Sequence, residues 1–456
     1  MTGPRLFPQG EHLDKRKCST HLLLSESTRM TELKRDIRAS YTYPAGVHLQ
    51  RRLWIEPAQP AELSEAGVKT WLLQGAHYEQ DLLDLFAAFM GRLVTAGHPV
   101  HRATLHIGTL HPQLFAYGWM WNGLEGYCDE FKVEEAALTT DSYRKNPIYR
   151  VIEHGEEIRQ FLPSVPEECL SPLLKELRTE GYTEYAALPM QTGGNLHHTV
   201  TLATCHADGF SEHQYATLRD LLDVFALHVG RHAIKRIAQN VMATYLGEAA
   251  GEKVLAGNIK RGSGEPIEAI VWASDMRGST DLSDKLANDE MLAVLNRYFE
   301  CLAGAVIDHG GEVLKYIGDG LLAVFPFNSD TTEHEAAQAA VAAATDALAR
   351  LDKLNSDPAE LSGISGWRPL RTGIALHRGE VFFGNVGAPQ RLDFTVTGQA
   401  VNVASRVEGL TKTLGHPLLI TEPVARSLPH MLTPLGTQEV KGVRAPLALY
   451  TTPSQA

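Results

Sequence analysis

The chain has 456 residues, enough for two or three domains, and its 44% hydrophobic and 21% charged composition is that of an ordinary globular protein. A formal net charge of −12 argues against a nucleic-acid backbone as the main partner, and the 5 cysteines are scattered without a C-x-x-C pair, which fits a reducing compartment better than a disulfide scaffold. No run approaches the roughly 18 consecutive apolar residues of a membrane span, and no signal-peptide pattern opens the sequence, so a cytoplasmic protein with no membrane span is expected.

Residues 1–66 read as an N-terminal extension, partly disordered, with mixed charge over residues 11–17 and Met30 as an alternative start. Residues 67–230 read as an α+β domain. Helical periodicity spans 75–96, with Leu82, Leu83, Phe86 and Met90 on one face. Strands are expected at 102–107, 115–121, 185–189 and 198–204, and helices at 172–180 and 212–229. Phe115, Tyr117, Trp119 and Trp121 alternate onto one strand face; with Tyr127 they predict a half-buried sheet face rather than a ligand cage. Cys205 reads as structural, and His197-His198 beside Gly193-Gly194 as a turn.

Two glycine-marked strands follow, one after Gly181-Tyr182 and one after Gly193-Gly194, and Phe210-Ser211 then opens a long helix. That order resembles a GAF-type sensory domain, which implies an effector, a small molecule or a protein. Leu222, Ala226, Val229, Ala233, Ile237 and Val241 form a stripe at spacings of three and four. Such a stripe packs on its own domain or joins two protomers as a parallel two-helix connector. The second is favoured because the stripe runs past residue 230, into a helical linker expected over 231–263.

The third region is expected over 264–456. An apolar run at 267–273 predicts a buried strand that delivers Asp275, followed by Met276-Arg277-Gly278-Ser279-Thr280 and a helix capped by Asp281 or a neighbour. Residues 313–325 read as strand, tight turn, strand, with Gly318-Asp319-Gly320 at the turn. If intervening helices return the chain antiparallel, Asp275 and Asp319 meet. Two bare carboxylates repel, and a pair of divalent cations relieves this; acidic and aqueous ligands suit Mg²⁺ or Mn²⁺. Residues 370–376 and 380–386 look like another strand pair. A helix is expected from Ala400, on which Asn402 and Arg406 share a face beside Val403 and Val407.

Five segments stand in one order: the Asp275 segment, Lys315-Tyr316-Ile317-Gly318-Asp319, Arg371-Thr372-Gly373-Ile374, Val401-Asn402-Val403-Ala404-Ser405-Arg406 and Glu439-Val440-Lys441-Gly442. In that combination residues 245–450 resemble the class III adenylate and guanylate cyclases. The resemblance implies a ferredoxin-like βααβ catalytic domain that converts ATP to 3′,5′-cyclic AMP and pyrophosphate. Asp275 and Asp319, helped by the Met276 carbonyl, would hold two metal ions per site. Lys315 and Thr395 would read the purine, Asn402 would orient the ribose, and Arg406 would meet charge at the α-phosphate. Arg371 and Lys441 would hold the outer phosphates. The site would lie between two copies, so a homodimer is implied. Thr395 departs from the aspartate of many adenylate cyclases, and Ser279 from a frequent phenylalanine. A guanylate cyclase, or a catalytically silent nucleotide-sensing module, stands as the alternative; Lys315 speaks against the first, since a donor suits adenine N1 and guanine carries its own donor there.

Overall fold

The computed structural model describes residues 43–453 except 56–62, 110–113, 193–197, 358–360, 362, 365 and 429–430. The expected disorder of residues 1–40, the alternative start at Met30, and Gly193-Gly194 with His197 lie outside the described residues. The chain divides into two compact units, Met1–Ile237 and Ala238–Ala456.

The first unit is built on a seven-stranded sheet. Its strands are β1 (Val47–Trp54), β2 (Arg102–Gly108), β3 (Leu114–Asn122), β4 (Tyr127–Glu134), β5 (Ile158–Phe161), β6 (Glu184–Met190) and β7 (His198–Thr204), in the order β1-β4-β3-β2-β7-β6-β5. Every pairing in it is antiparallel. The first strand falls before residue 67, inside the stretch expected as an extension. Its period-two pattern is masked by polar Gln50, Arg51 and Arg52, and the two arginines are held by cross-strand charge: Arg51 pairs with Glu130, and Arg52 Nε lies 2.6 Å from Asp129 Oδ1, with both side chains of that second pair buried.

One face of this sheet packs against α1 (Glu65–Gln74), α2 (Leu82–Thr95) and α6 (Glu212–Leu246) in a single core. The helix expected over 75–96 begins only at Leu82, because the Asp81 carboxylate accepts from the Leu83 N–H and caps it there. Leu82, Leu83, Phe86 and Met90 are all buried, and Phe89 stacks on Phe225 at 4.3 Å. Tyr117, Trp119 and Trp121 point into this core and are buried, not half-buried as expected, because α2 and α6 cover the face they share. Tyr127 lies in a separate cluster with Met120 and Phe131. Over the opposite face lie α3 (Asp141–Arg144), α4 (Pro147–His154) and α5 (Pro172–Thr179). His198 is a buried strand residue rather than part of a turn, and Cys205 is a free thiol whose pKa burial pushes up.

The long α6 takes in the whole apolar stripe. Leu222, Ala226, Val229 and Ala233 are buried in the core of the first unit, as a helix packed on its own domain would be; Ile237 and Val241 are half-buried. The boundary between the units falls within this helix, after Ile237.

The second unit has α7 (Glu248–Leu255), β8 (Gly264–Met276), α8 (Ser279–Ser283), α9 (Asn288–Asp308), β9 (Glu312–Ile317), β10 (Gly320–Phe327), α10 (Glu333–Ser356), β11 (Thr372–Ala388), β12 (Arg391–Thr397), α11 (Gln399–Leu414), β13 (Leu418–Thr421), α12 (Glu422–Ala425), β14 (Thr433–Gln438) and β15 (Leu447–Thr451). The sheet runs β14-β15-β13-β11-β8-β10-β9, with β12 on β11. Strand β8 is central and buried on both faces, so it reads as a continuous apolar run. Ile270 and Trp272 face α9 and the alanine-rich side of α10, while Ala269, Val271 and Ala273 face the β11–β12 hairpin and α11. On that second face Phe383 and Phe394 pack edge to face at 4.8 Å, a geometry worth about 0.5–1.5 kcal/mol beyond burial.

The strand pair expected at 370–376 and 380–386 is one strand, β11. It pairs with β8 in unbroken antiparallel register from Thr372–Met276 to Gly384–Gly264. Gly379 makes no turn. It admits the start of α11, where a Cβ would come within 2.8 Å of the Ala400 Cβ.

Candidate active site

Two helices, α8 and α9, carry the chain back so that β10 runs antiparallel to β8, with Gly320 opposite Asp275. The loop between β9 and β10 is only Gly318-Asp319, and Gly318 takes φ 62, which suits a two-residue hairpin turn. On the other side of β8, Gly373 of β11 is level with Asp275. Asp275 is thus flanked by glycine on both neighbouring strands. A Cβ at Gly320 would stand 3.3 Å from the Asp275 Oδ1, and one at Gly373 would run into Thr411 and Glu408 at 2.3 and 2.4 Å. Space beside the carboxylate is therefore set by what the neighbours lack. Asp281 lies in the first turn of α8 and does not cap it; Gly278, at φ 73, stands at that position.

The Asp275 and Asp319 carboxylates come into contact at this strand end. Partial burial raises the pKa of Asp275, and the charge of Asp319 and a hydrogen bond to it raise it further. The Met276 backbone N–H donates to the Asp275 carboxylate and opposes that shift. Asp319 Oδ2 is buried and has no hydrogen-bond partner. Among the described residues no three His, Cys, Asp or Glu side chains converge. Two carboxylates, one with an unpartnered buried oxygen, leave the remaining coordination positions to carbonyl, water and phosphate oxygens, which is a donor set that fits a hard divalent cation.

The backbone beneath the pair is fixed. Thr372 Oγ1 donates to the Asp275 carbonyl at 3.1 Å and meets the buried Tyr298 hydroxyl at 2.8 Å. The Arg277 N–H donates to the Arg371 carbonyl at 2.8 Å, which ties the backbone of the exposed Arg371 to the end of β8. Arg277 also reaches Thr411 on α11. On the same helix the Glu408 carboxyl is pushed up to about 7, by burial first and then by the charge of Asp275. Nothing local in the sequence marks Arg277, Thr411 or Glu408, because they meet only when α11 packs over β8 and β11.

A second group forms where β12 reaches β9. Lys315 Nζ lies 3.0 Å from Asp393 Oδ2. Thr395 is two residues along the same strand and is buried, and its Oγ1 has no hydrogen-bond partner. The period-two alternation of a strand could have singled out Asp393 beside Thr395. Asn402 and Arg406 share the exposed side of α11, while Val403 and Val407 are buried under them, as the spacing predicts. Gly442, at φ 74, brings the turn after Lys441 under the Arg406 guanidinium; a Cβ there would be 2.5 Å from Nη1. Arg406 and the exposed Lys441 therefore lie at one place although 35 residues separate them in sequence. No helix among the described residues is long and apolar enough to cross a membrane.

Residues 266–452 match the family model described as the adenylate and guanylate cyclase catalytic domain. An adenylate cyclase from Anabaena cylindrica is 40% identical over 172 residues, which is 38% of this chain and 33% of that protein. Adenylate cyclase 1 of Rhizobium meliloti is 29% identical over 234 residues, covering 51% of this chain and 32% of that protein. The chain thus spans about a third of the length of these curated relatives. A solved bacterial light-regulated adenylyl cyclase is 30% identical, with a TM-score of 0.35, over 41% of this chain and 91% of that one. Residues 266–452, within the C-terminal unit, are thus recognised as an adenylate and guanylate cyclase catalytic domain.

Proposed function

We propose that the chain is an adenylate cyclase that converts ATP to 3′,5′-cyclic AMP and pyrophosphate in a site shared by two copies, under control of its N-terminal unit acting as a GAF-like sensor. The observation that carries the reading is the contact between Asp275 and Asp319, with one buried carboxylate oxygen left unpartnered at a strand end.

Mg²⁺ or Mn²⁺, two per site, held by Asp275, Asp319 and the Met276 carbonyl, would lower the pKa of the ribose 3′-hydroxyl and offset phosphate charge. The protein's own groups do the rest. Lys315 donates to adenine N1, and the unpartnered Thr395 hydroxyl accepts from the adenine amino group. Asn402 orients the ribose so that its 3′-oxygen lies in line with the α-phosphorus. As the new O–P bond forms and the bond to pyrophosphate breaks, negative charge grows on the α-phosphate oxygens. Arg406, held over Gly442, meets that charge. Arg371 and Lys441 hold the leaving pyrophosphate, and the 3′-hydroxyl proton passes to solvent. The lysine favours adenine, whose N1 accepts, over guanine, whose N1 carries its own hydrogen; the Thr395 hydroxyl, able to donate or accept, fits the 6-position of either base.

Asp275, Asp319 and Arg371 form one half-site; Lys315, Thr395, Asn402, Arg406 and Lys441 form the other, from the second copy. Residues 231–263 join sensor to catalyst. The test is an assay of the purified chain with Mn²⁺ and either ATP or GTP. Cyclic AMP and pyrophosphate from ATP, with little product from GTP, is the expected result. Preferred turnover of GTP, or no turnover of either, would overturn the reading.

A further inference from the structure

The first unit carries a partly open cavity of about 170 Å³ between the outer face of its sheet and the α3–α4 side. Its walls are mainly apolar, with Met120, Phe131 and Ile148 among them. An apolar cavity of about 150 Å³ is enough for a benzene ring.

One charge stands in this wall. Arg102, Thr104 and His106 alternate along β2 onto the cavity face, and Thr201 on β7 is opposite Thr104. Arg102 is 9% exposed, and its guanidinium donates only to Met120 Sδ, at 3.3 Å. No carboxylate among the described residues lies within ion-pair distance of it. The nearby histidine adds no charge, since burial, helped by Arg102, lowers the His106 pKa to about 4. Elsewhere in this sheet the buried Arg52 has its Asp129, and Arg159 has Glu184. Glu180 interacts with Arg102 only from beyond ion-pair distance, and a nearly buried guanidinium with no carboxylate in contact is costly. Beside it the Tyr185 hydroxyl is buried and makes no close hydrogen bond among the described residues. The Thr201 hydroxyl faces it but is engaged with Thr104 at 2.6 Å. Burial holds the Tyr185 phenol protonated, as a donor.

We infer that this cavity is a binding site for a small carboxylate with a single-ring or short apolar body, its carboxylate held by Arg102 and Tyr185. A phosphate is a poorer match: one cation and one hydroxyl leave most of its oxygens without donors. The apolar walls take the body of the ligand, and the carboxylate supplies the missing counter-charge. Binding here does not depend on the cyclase reaction; it names the class of effector for the sensor proposed above.

The experiment uses the full chain and measures thermal stability and calorimetric binding with benzoate and phenylacetate, against the neutral benzamide and toluene. The carboxylates should raise Tm and the neutral molecules should not. Arg102→Met should weaken benzoate binding at least tenfold and, by removing an unpaired buried charge, should raise Tm without ligand. Tyr185→Phe, which removes only an unpartnered hydroxyl, should fold normally and bind several-fold more weakly. Equal shifts from the neutral molecules, no shift from either carboxylate, or undiminished binding in both variants would overturn the inference. Cyclic AMP formation is followed in parallel. Carboxylate binding without any change in turnover would reject the regulatory reading and leave the binding site standing.

Discussion

The two units treat their functional charges in opposite ways. In the first, Arg102 is buried under a sheet face, with a cavity in place of a partner. In the second, Arg371, Asn402, Arg406 and Lys441 all stand exposed, and the buried element is a carboxylate oxygen at the foot of the site. A charge enclosed within one unit can be satisfied by a small ligand alone. Charges displayed on a surface await a larger partner: a triphosphate and, in the reading proposed here, a second copy of the same domain. The contrast teaches that burial of a polar group and exposure of a polar group can both mark a site, provided the expected partner is missing from the chain itself.

The strongest way to break this comparison is to show that the exposed half-sites belong together in one chain. Asp319→Ala should abolish turnover, and Arg406→Ala should reduce it by at least about 10²–10³-fold, the scale of losing one preorganised charge at a transition state. Both variants should keep the oligomeric state of the wild type by light scattering. An equal mixture should recover about a quarter of wild-type activity, since half the dimers are mixed and each has one intact site. Recovery absent from proven mixed dimers would place both half-sites within one protomer.

Thr395→Val comes next. It removes a buried hydroxyl that has no partner in the free protein, so stability should hold or rise slightly. The kcat/KM for ATP should fall about 10–100-fold, because a polar base edge then meets a methyl group. Unchanged kinetics with ATP would remove Thr395 from base recognition.

Glu408 sharpens the picture of the metal side. Its carboxyl is pushed up to about 7 by burial and by Asp275. A raised carboxyl pKa means that the folded state binds the proton more tightly than the unfolded state does. Without metal, this group therefore costs stability as pH rises from its unfolded value through 7, and the cost is complete above 7. Glu408→Gln should raise Tm in EDTA at pH 8 by a few degrees and leave it nearly unchanged at pH 5. An equal gain at both pH values would show that the effect does not come from the charge, and no gain at either that the charge is already neutralised.

The smallest effect is expected at Asp393. Its pair with Lys315 is partly exposed, 33% on the lysine side and 53% on the aspartate side. Such pairs are worth about 0–1 kcal/mol. Asp393→Ala should barely move Tm but should raise KM for ATP a few-fold, since it releases the ammonium that reads the base. A change in stability with no change in KM would assign Asp393 to the fold alone.

Much of the second unit was legible before any coordinates. The Gly318-Asp319 turn and the Asn402–Arg406 pair depend on short-range geometry, a two-residue loop and a helical step of four, and both stand where the pattern placed them. The first unit was less legible. Its edge strand β1 carries Arg51 and Arg52, which pair with carboxylates some 80 residues away, and only Arg52 is buried by its pair. Strand β11 was misread as two because Gly379 has the same appearance in a turn as in a close helix approach.

The sequence by itself determined the inventory of candidate site residues: which carboxylates, cations and amides are present, at what local spacing, and the α+β order of elements that carries them. Only the tertiary structure decided which of them lack partners. Asp319 Oδ2, Thr395 Oγ1, Tyr185 Oη and the Arg102 guanidinium are unremarkable letters in a row. Whether a polar atom is satisfied depends on which strands lie beside it and what covers them. Those are contacts between residues distant along the chain, made by packing rather than by local propensity.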